Sequence, residues 1–299
     1  MDYKSVIEST SLDDIVFLCG AGISIDPPTY IPTVDHFIDS LFQEIIDSTA
    51  FSEADYKEFE SQNQRPRFEL LIDEISKTLD KGLSLGSLFT SVNFNKNHNL
   101  LAQLCHQGAT VVTTNFDTCI ENACGDKVPE KLIFRGRDLS KSEYEALTKY
   151  RIVKPHGCIM DFTNSSLVIT LSTLNSLNHG FINYPRWRKA LLDVFSNKLI
   201  IVLGYSGSDN FDITPILEEL TPKQILWLSY SGDNHMIEVG DKSSADFNDR
   251  IKGLNNLTFL NGRIDQLAPC FSLRLSESAR MDTVDGSRIS IYFKSTFSS

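Results

Sequence analysis

Residues 15–19, IVFLC, are apolar at every position, and Gly20-Ala21-Gly22 follows at once. A half-buried strand alternates apolar and polar side chains; an unbroken apolar run closed by a turn reads as a strand covered on both faces. Helices that cross from strand to strand provide that cover, so such runs in series restrict the chain to a mostly parallel sheet. The pattern recurs, with strands expected at 109–115 (ATVVTTN), 131–134, 151–154, 167–170, 198–206 (KLIIVLGYS), 224–230 and 257–262. Between the first two strands the period changes. Val34, Phe37, Ile38, Leu41, Phe42, Ile45 and Ile46 recur at helical spacing, then Phe68, Leu71, Ile72, Ile75 and Leu79, then Leu100, Leu101 and Leu104. Residues 33–108 therefore read as a helical insertion after the first strand.

Shorter helices are expected at 116–125 with Gly125 as the stop, at 185–196 opening on a proline, and at 212–220 with Thr214 as candidate cap. The polar stretch 231–250 reads as an exposed loop or short helix. The fold class is α/β, with one domain over 1–275 and a serine-rich 276–299 read as a tail or the start of a further region.

Charge narrows the partners. A net charge of -11 argues against a nucleic-acid backbone, which needs Lys and Arg to displace counterions. It leaves room for a small anion held by backbone N–H groups. No stretch reaches the ~20 apolar residues that span a bilayer. The opening MDYKSVIESTSLDD has neither the basic region nor the apolar core of a signal peptide, so a cytoplasmic location is expected. None of the six cysteines forms a C-x-x-C pair, and no metal is expected.

In open α/β sheets ligands bind beyond the carboxyl ends of the strands. Four such ends hold candidate residues. Gly20, Ala21, Gly22 and Ser24 follow the first run, in a G-x-G turn suited to close approach of a pyrophosphate, with Ile25 where a dinucleotide fingerprint needs its third glycine. Asn115 and Asp117 follow the second, Asp117 where a helix N-cap belongs. His156 sits between Pro155 and Gly157; an imidazole with an ordinary pKa near 6.5 is a usable general base. Gly204, Ser206 and Asp209 follow the strongest strand. Each also has an ordinary structural reading, as a turn former, a cap or a buried histidine.

Taken in order, GAGIS, TTNFD, KPHG and GYSGSD resemble the sirtuin-like NAD-consuming domain, over residues 13–272. The resemblance is nearer to the branch found in bacterial antiphage defence proteins than to the protein deacylases. It implies a Rossmann-like sheet, with NAD+ as substrate. Gly20, Ala21, Gly22 and Ser24 would line the phosphates and a ribose. Asn115 would hold a water and the nicotinamide-side ribose, Asp117 would lie beside the nicotinamide, and His156 would be the catalytic histidine. Gly204, Ser206 and Asp209 match the second nucleotide-facing loop, and Ile31 with Pro32 the loop that closes over the cofactor.

Two departures bear on the activity. The deacylases carry a four-cysteine zinc module and a Phe-Arg pair after GAGIS, and this chain has neither. Both departures favour hydrolysis of NAD+ to nicotinamide and ADP-ribose, by an NAD glycohydrolase (NADase) that depletes NAD+ in antiviral defence. The alternatives are an NAD-dependent deacylase or ADP-ribosyltransferase, and a catalytically silent module that senses NAD or ADP-ribose. The resemblance further implies a homo-oligomer. It also implies an activating partner, such as a translocase ATPase or an Argonaute-type protein, or a sensor domain.

Overall fold

The computed structural model describes residues 2–48, 52–61, 68–78, 80, 84–135, 142, 146–159, 184–207, 213–230, 236–240 and 249–272. Its centre is an eight-stranded sheet built from β1 (Ile15–Cys19), β2 (Thr110–Thr113), β3 (Ile133–Arg135), β4 (Ile152–Lys154), β5 (Leu199–Leu203), β6 (Gln224–Tyr230), β7 (Glu238–Val239) and β8 (Leu257–Gly262). The spatial order is β3-β4-β2-β1-β5-β6-β8-β7, all pairs parallel except β7 with β8. β1 lies between β2 and β5, with Phe17 opposite Val111 on one side and Ile201 on the other.

Every residue of β1, β2 and β5 is buried, which is what the unbroken apolar runs require. The strands feed two cores alternately. Ile15, Phe17, Cys19, Val111 and Ile201 pack with α1 (Tyr3–Ser9), α5 (Lys96–His106) and α6 (Cys119–Cys124). Val16, Leu18, Val112, Val202 and Trp227 pack with α7 (Tyr184–Phe195) and α8 (Ile213–Glu219). Each such side chain gains about 1.5–3 kcal/mol by leaving water, and uncovering one face would forfeit that gain for every residue pointing to it.

The span expected to be one helical insertion divides in two. α2 (Val34–Ser48), α4 (Phe68–Thr78) and the 3-10 turn Ser84–Phe89 share a third core, in which Phe37, Phe68 and Phe89 meet with ring centroids 5.5–5.7 Å apart. α3 (Glu53–Ser61) lies between α2 and α4 in the chain. α5 instead packs on the sheet through Leu100, Leu101 and Leu104, as a crossover helix does.

The stretch 231–250, expected as loop or short helix, contributes β7 at the sheet edge and the start of a helical turn, α9 (Asp249–Lys252). Thr214 is not the cap of α8; it is buried inside the helix, hydrogen-bonded to Gly207 O at 3.3 Å and to the Tyr205 hydroxyl at 3.2 Å. The strand expected at 167–170 lies outside the described residues. Among the described residues no helix is long and apolar enough to cross a membrane.

The chain leaves β1 toward β2 and leaves β5 toward β6, on the opposite side. β1 and β5 therefore flank the topological switch point, the place at the carboxyl edge where open α/β sheets have their ligand crevice.

Candidate active site

The loop after β1 is a 3-10 turn, Ala21–Ser24, and the backbone of Gly204 after β5 presses against it. Gly20 N donates to Leu203 O at 3.1 Å, and Gly22 N donates to Gly204 O at 2.9 Å. A Cβ on Gly22 would lie 2.7 Å from Gly204 Cα, and one on Gly204, whose φ is +59°, would lie 2.5 Å from Ile23 N. The glycines allow the two loops to touch, before any question of a phosphate arises. Ala21 is half-buried, and Ser206 is exposed. Asp209 lies outside the described residues.

The turn delivers Ser24, whose side chain is fully buried. Its Oγ donates to Asp117 Oδ2 at 3.1 Å and lies 3.0 Å from His98 Nε2. Asn115 Nδ2 donates to Ser24 Oγ at 3.2 Å and to Asp117 Oδ2 at 3.2 Å. Asp117 Oδ1 accepts from Cys119 N at 2.9 Å, just ahead of α6. The Asn115 amide nitrogen thus faces partners inside the protein, and its remaining polar atom, Oδ1, is an acceptor. Ile31 is buried beside this group; its N–H donates to Ser24 O at 3.0 Å and its side chain joins the third core.

A fully buried lysine supports the Asp117 loop. Lys154 Nζ donates to the carbonyl oxygens of Asp117 and Phe116 and, at 3.0 Å, to Glu121 Oε1. Burial pushes this amine toward neutrality, but the Glu121 carboxylate, with help from Cys158 and Asp117, outweighs burial and holds it protonated. His156 stands two residues beyond Lys154, half-buried, its ring 6.3 Å from the Phe116 ring and tilted 34° to it. The described geometry therefore gathers Gly20, Gly22, Ser24, Ile31, Asn115, Asp117 and Gly204 at one edge, with His156 across the Phe116 ring.

His98 and Lys154 escaped the sequence reading. His98 sits on the buried face of α5, where a histidine at helical spacing looks like core; its signal is Asn95 three residues earlier, a capping pair. Lys154 is a charge ending an apolar strand, which ordinarily reads as the first exposed position. Burial lowers the His98 pKa to about 4, against the pull of the Asp117 and Glu121 carboxylates, so the ring is neutral.

His98, Asp117 and Cys119 offer ligand atoms within 4.8 Å of one another. Burial and the adjoining Asp117 push the Cys119 thiol far up, so it stays protonated, and both His98 nitrogens already have partners. These residues form a hydrogen-bonded cluster. A cleft of about 410 Å³ lies elsewhere, lined by Glu121, Asn122, Asp126, Glu130 and Arg135 among others, and takes in none of the candidate binding or catalytic residues.

Residues 109–240, under half of the chain, match the family model of the SIR2-like domain. Among solved structures the chain is similar to Sir2Tm bound to a propionylated peptide, at 17% identity over 90% of this chain and 94% of that one, with a TM-score of 0.35. It is also similar to a structure of a Sir2 enzyme solved for its mechanism and regulation, at 13% identity over 76% and 83%, with a TM-score of 0.35. No curated protein gave a significant match.

Proposed function

We propose that the protein is an NAD+ glycohydrolase that cleaves the bond between nicotinamide and ribose. The observation that carries this reading is the buried Ser24–Asn115–Asp117 cluster beside the crevice of a parallel sheet, two of its three residues within the segment that matches the SIR2-like domain. The nicotinamide nitrogen is cationic in NAD+. When its bond to ribose C1 breaks, the electron pair returns to the nitrogen and nicotinamide leaves neutral, so no general acid is required. The ribose develops oxocarbenium character, and water adds to C1.

Asn115 Oδ1 suits the water: it accepts a hydrogen and leaves an oxygen lone pair turned to the reacting carbon. His156 takes the proton that the water loses. Ala21, Gly22, Gly204 and Ser206 hold the phosphates and ribose in the crevice, with Gly20 shaping the turn and Asp209 on the same loop. Ile31 belongs to the segment that covers the substrate. Asp117 neutralises no charge in the products; buried next to a departing pyridinium, it favours binding of the cationic substrate.

The biological role we assign on the resemblance of the motifs is depletion of NAD+ in antiphage defence. In that role the enzyme acts as a homo-oligomer held in check until a translocase ATPase, an Argonaute-type protein or a sensor domain releases it.

Incubating the full chain with NAD+ and following nicotinamide by chromatography tests the chemistry. Asn115→Ala and His156→Ala are expected to lower the rate by about 100-fold or more. Release by either variant at the wild-type rate overturns the assignment, as does release by the wild type only when an acylated peptide is supplied. In bacterial cells under phage attack, the wild-type chain is expected to lower NAD+ and Asn115→Ala to leave it unchanged.

A further inference from the structure

Three side chains meet around the Ser24 hydroxyl, and the hydrogen bonds run in one direction. Asn95 caps α5: its Oδ1 accepts from Asn97 N at 3.0 Å and His98 N at 3.2 Å, while its own backbone N–H donates to His98 Nδ1 at 3.2 Å. A nitrogen that accepts from an amide carries no proton, so the neutral ring has its hydrogen on Nε2. Nε2 faces Ser24 Oγ at 3.0 Å and can only donate to it. Ser24 Oγ, already accepting, sends its own hydrogen to Asp117 Oδ2. Asn115 then meets an accepting hydroxyl oxygen and a carboxylate, so its amide presents NH2 to both. The other amide orientation would set Oδ1 against the Asp117 carboxylate.

We propose that His98 is a positioning residue that sets the polarity of this network and thereby fixes Asn115 with its carbonyl oxygen turned to the substrate. The chain of cause is Asn95 backbone, His98 tautomer, Ser24 hydroxyl, Asp117 carboxylate, Asn115 amide. None of the steps moves a proton during turnover; the ring touches no reacting atom. The consequence for the reaction rests on the hydrolase reading above, whereas the ring's tautomer does not.

Two variants separate a donor from a spacer. Glutamine places an N–H near the position of Nε2; leucine fills the space and donates nothing. His98→Leu is expected to lose kcat by about 10–100-fold with KM for NAD+ within about twofold, and His98→Gln to recover most of the loss. The pH–rate profile of His98→Gln keeps the limbs of the wild type, because the ring is no acid or base.

Equal damage in both variants, a loss confined to KM, or a limb that vanishes in His98→Gln overturns the proposal. Histidine 15N NMR on the wild type decides the tautomer without turnover or substitution in the measured protein. A buried ring with its proton on Nε2 from pH 8 to pH 5, its signal missing from His98→Gln, supports the polarity lock; a proton on Nδ1 overturns it. Failure of wild-type protein to release nicotinamide removes the hydrolase reading and leaves the NMR result to decide for or against the network.

Discussion

Gly204 and Gly125 both have a positive φ and differ in what surrounds them. Gly125 has φ +51° and open space, with nothing within 4 Å of where a Cβ would stand, whereas Gly204 at +59° would drive a Cβ into Ile23 N and Gly22. Gly125→Ala is expected to cost about 1–2 kcal/mol of backbone strain. Gly204→Ala adds the clash between loops and is expected to cost about 3 kcal/mol, read as a fall of roughly 6–12 °C in Tm. Equal melting temperatures for the two variants would mean that the loops separate without cost. Lys154 gives a second contrast. Lys77 and Asp73 form a 2.7 Å pair on α4 with the lysine side chain 58% exposed, so Lys77→Ala is expected to change stability by less than about 0.5 kcal/mol. Lys154 is fully buried and ties two loop carbonyls to Glu121; Lys154→Met strands those partners and is expected to cost about 3–5 kcal/mol by urea unfolding.

The elements differ in how plainly the sequence wrote them. β1 and β5 were legible because burial on both faces leaves no polar position to confuse the pattern. β7 was not, because two exposed residues at an edge, Glu238 and Val239, carry no burial pattern at all. α5 was legible as a helix but not as a contributor to the site. The apolar face of Leu100, Leu101 and Leu104 announces packing, while the function of His98 depends on Ser24, 74 residues away. The order of strand-end motifs marked Ser24, Asn115 and Asp117; only the fold reveals that these three share hydrogen bonds. Asn95 joins α5 to the β1 loop, since its Nδ2 donates to Ile23 O at 2.9 Å and Asp26 O at 3.2 Å. Asn95→Asp keeps the cap but turns a buried carboxylate oxygen against those two carbonyls, whereas Asn95→Ala loses cap and donors without burying a charge. Unfolding by urea is expected to place both variants below the wild type, the alanine variant by about 2–3 kcal/mol and the aspartate variant by at least as much.

Three cores hold the described residues together, and the buried His98 makes stability depend on pH. His98 has a folded pKa of about 4 and an unfolded value near 6.5. Above pH 6.5 the ring is neutral in both states. As pH falls from there toward 4, the unfolded chain takes up a proton that the folded ring refuses, with Asp117, Glu121 and Lys154 the charges that bear on it. Stability should therefore drop through that window, by about 3 kcal/mol in all, and level off below it. Urea midpoints at pH 7 and pH 4.5 are expected to differ less in His98→Gln than in the wild type, and an equal difference would assign the loss to the carboxylates alone. The third core, around Phe37, Phe68 and Phe89, includes Ile31, Cys119 and Ile159, and Phe116 packs on it, so residues of the site loops are built into a helical layer that neither sheet core shares. That layer is expected to open as a cooperative unit of its own while the sheet stays intact. Amide hydrogen exchange should find α2 and α4 opening ahead of β1 and β5, and a molecule seated beneath Ile31 would slow exchange throughout both helices without touching either.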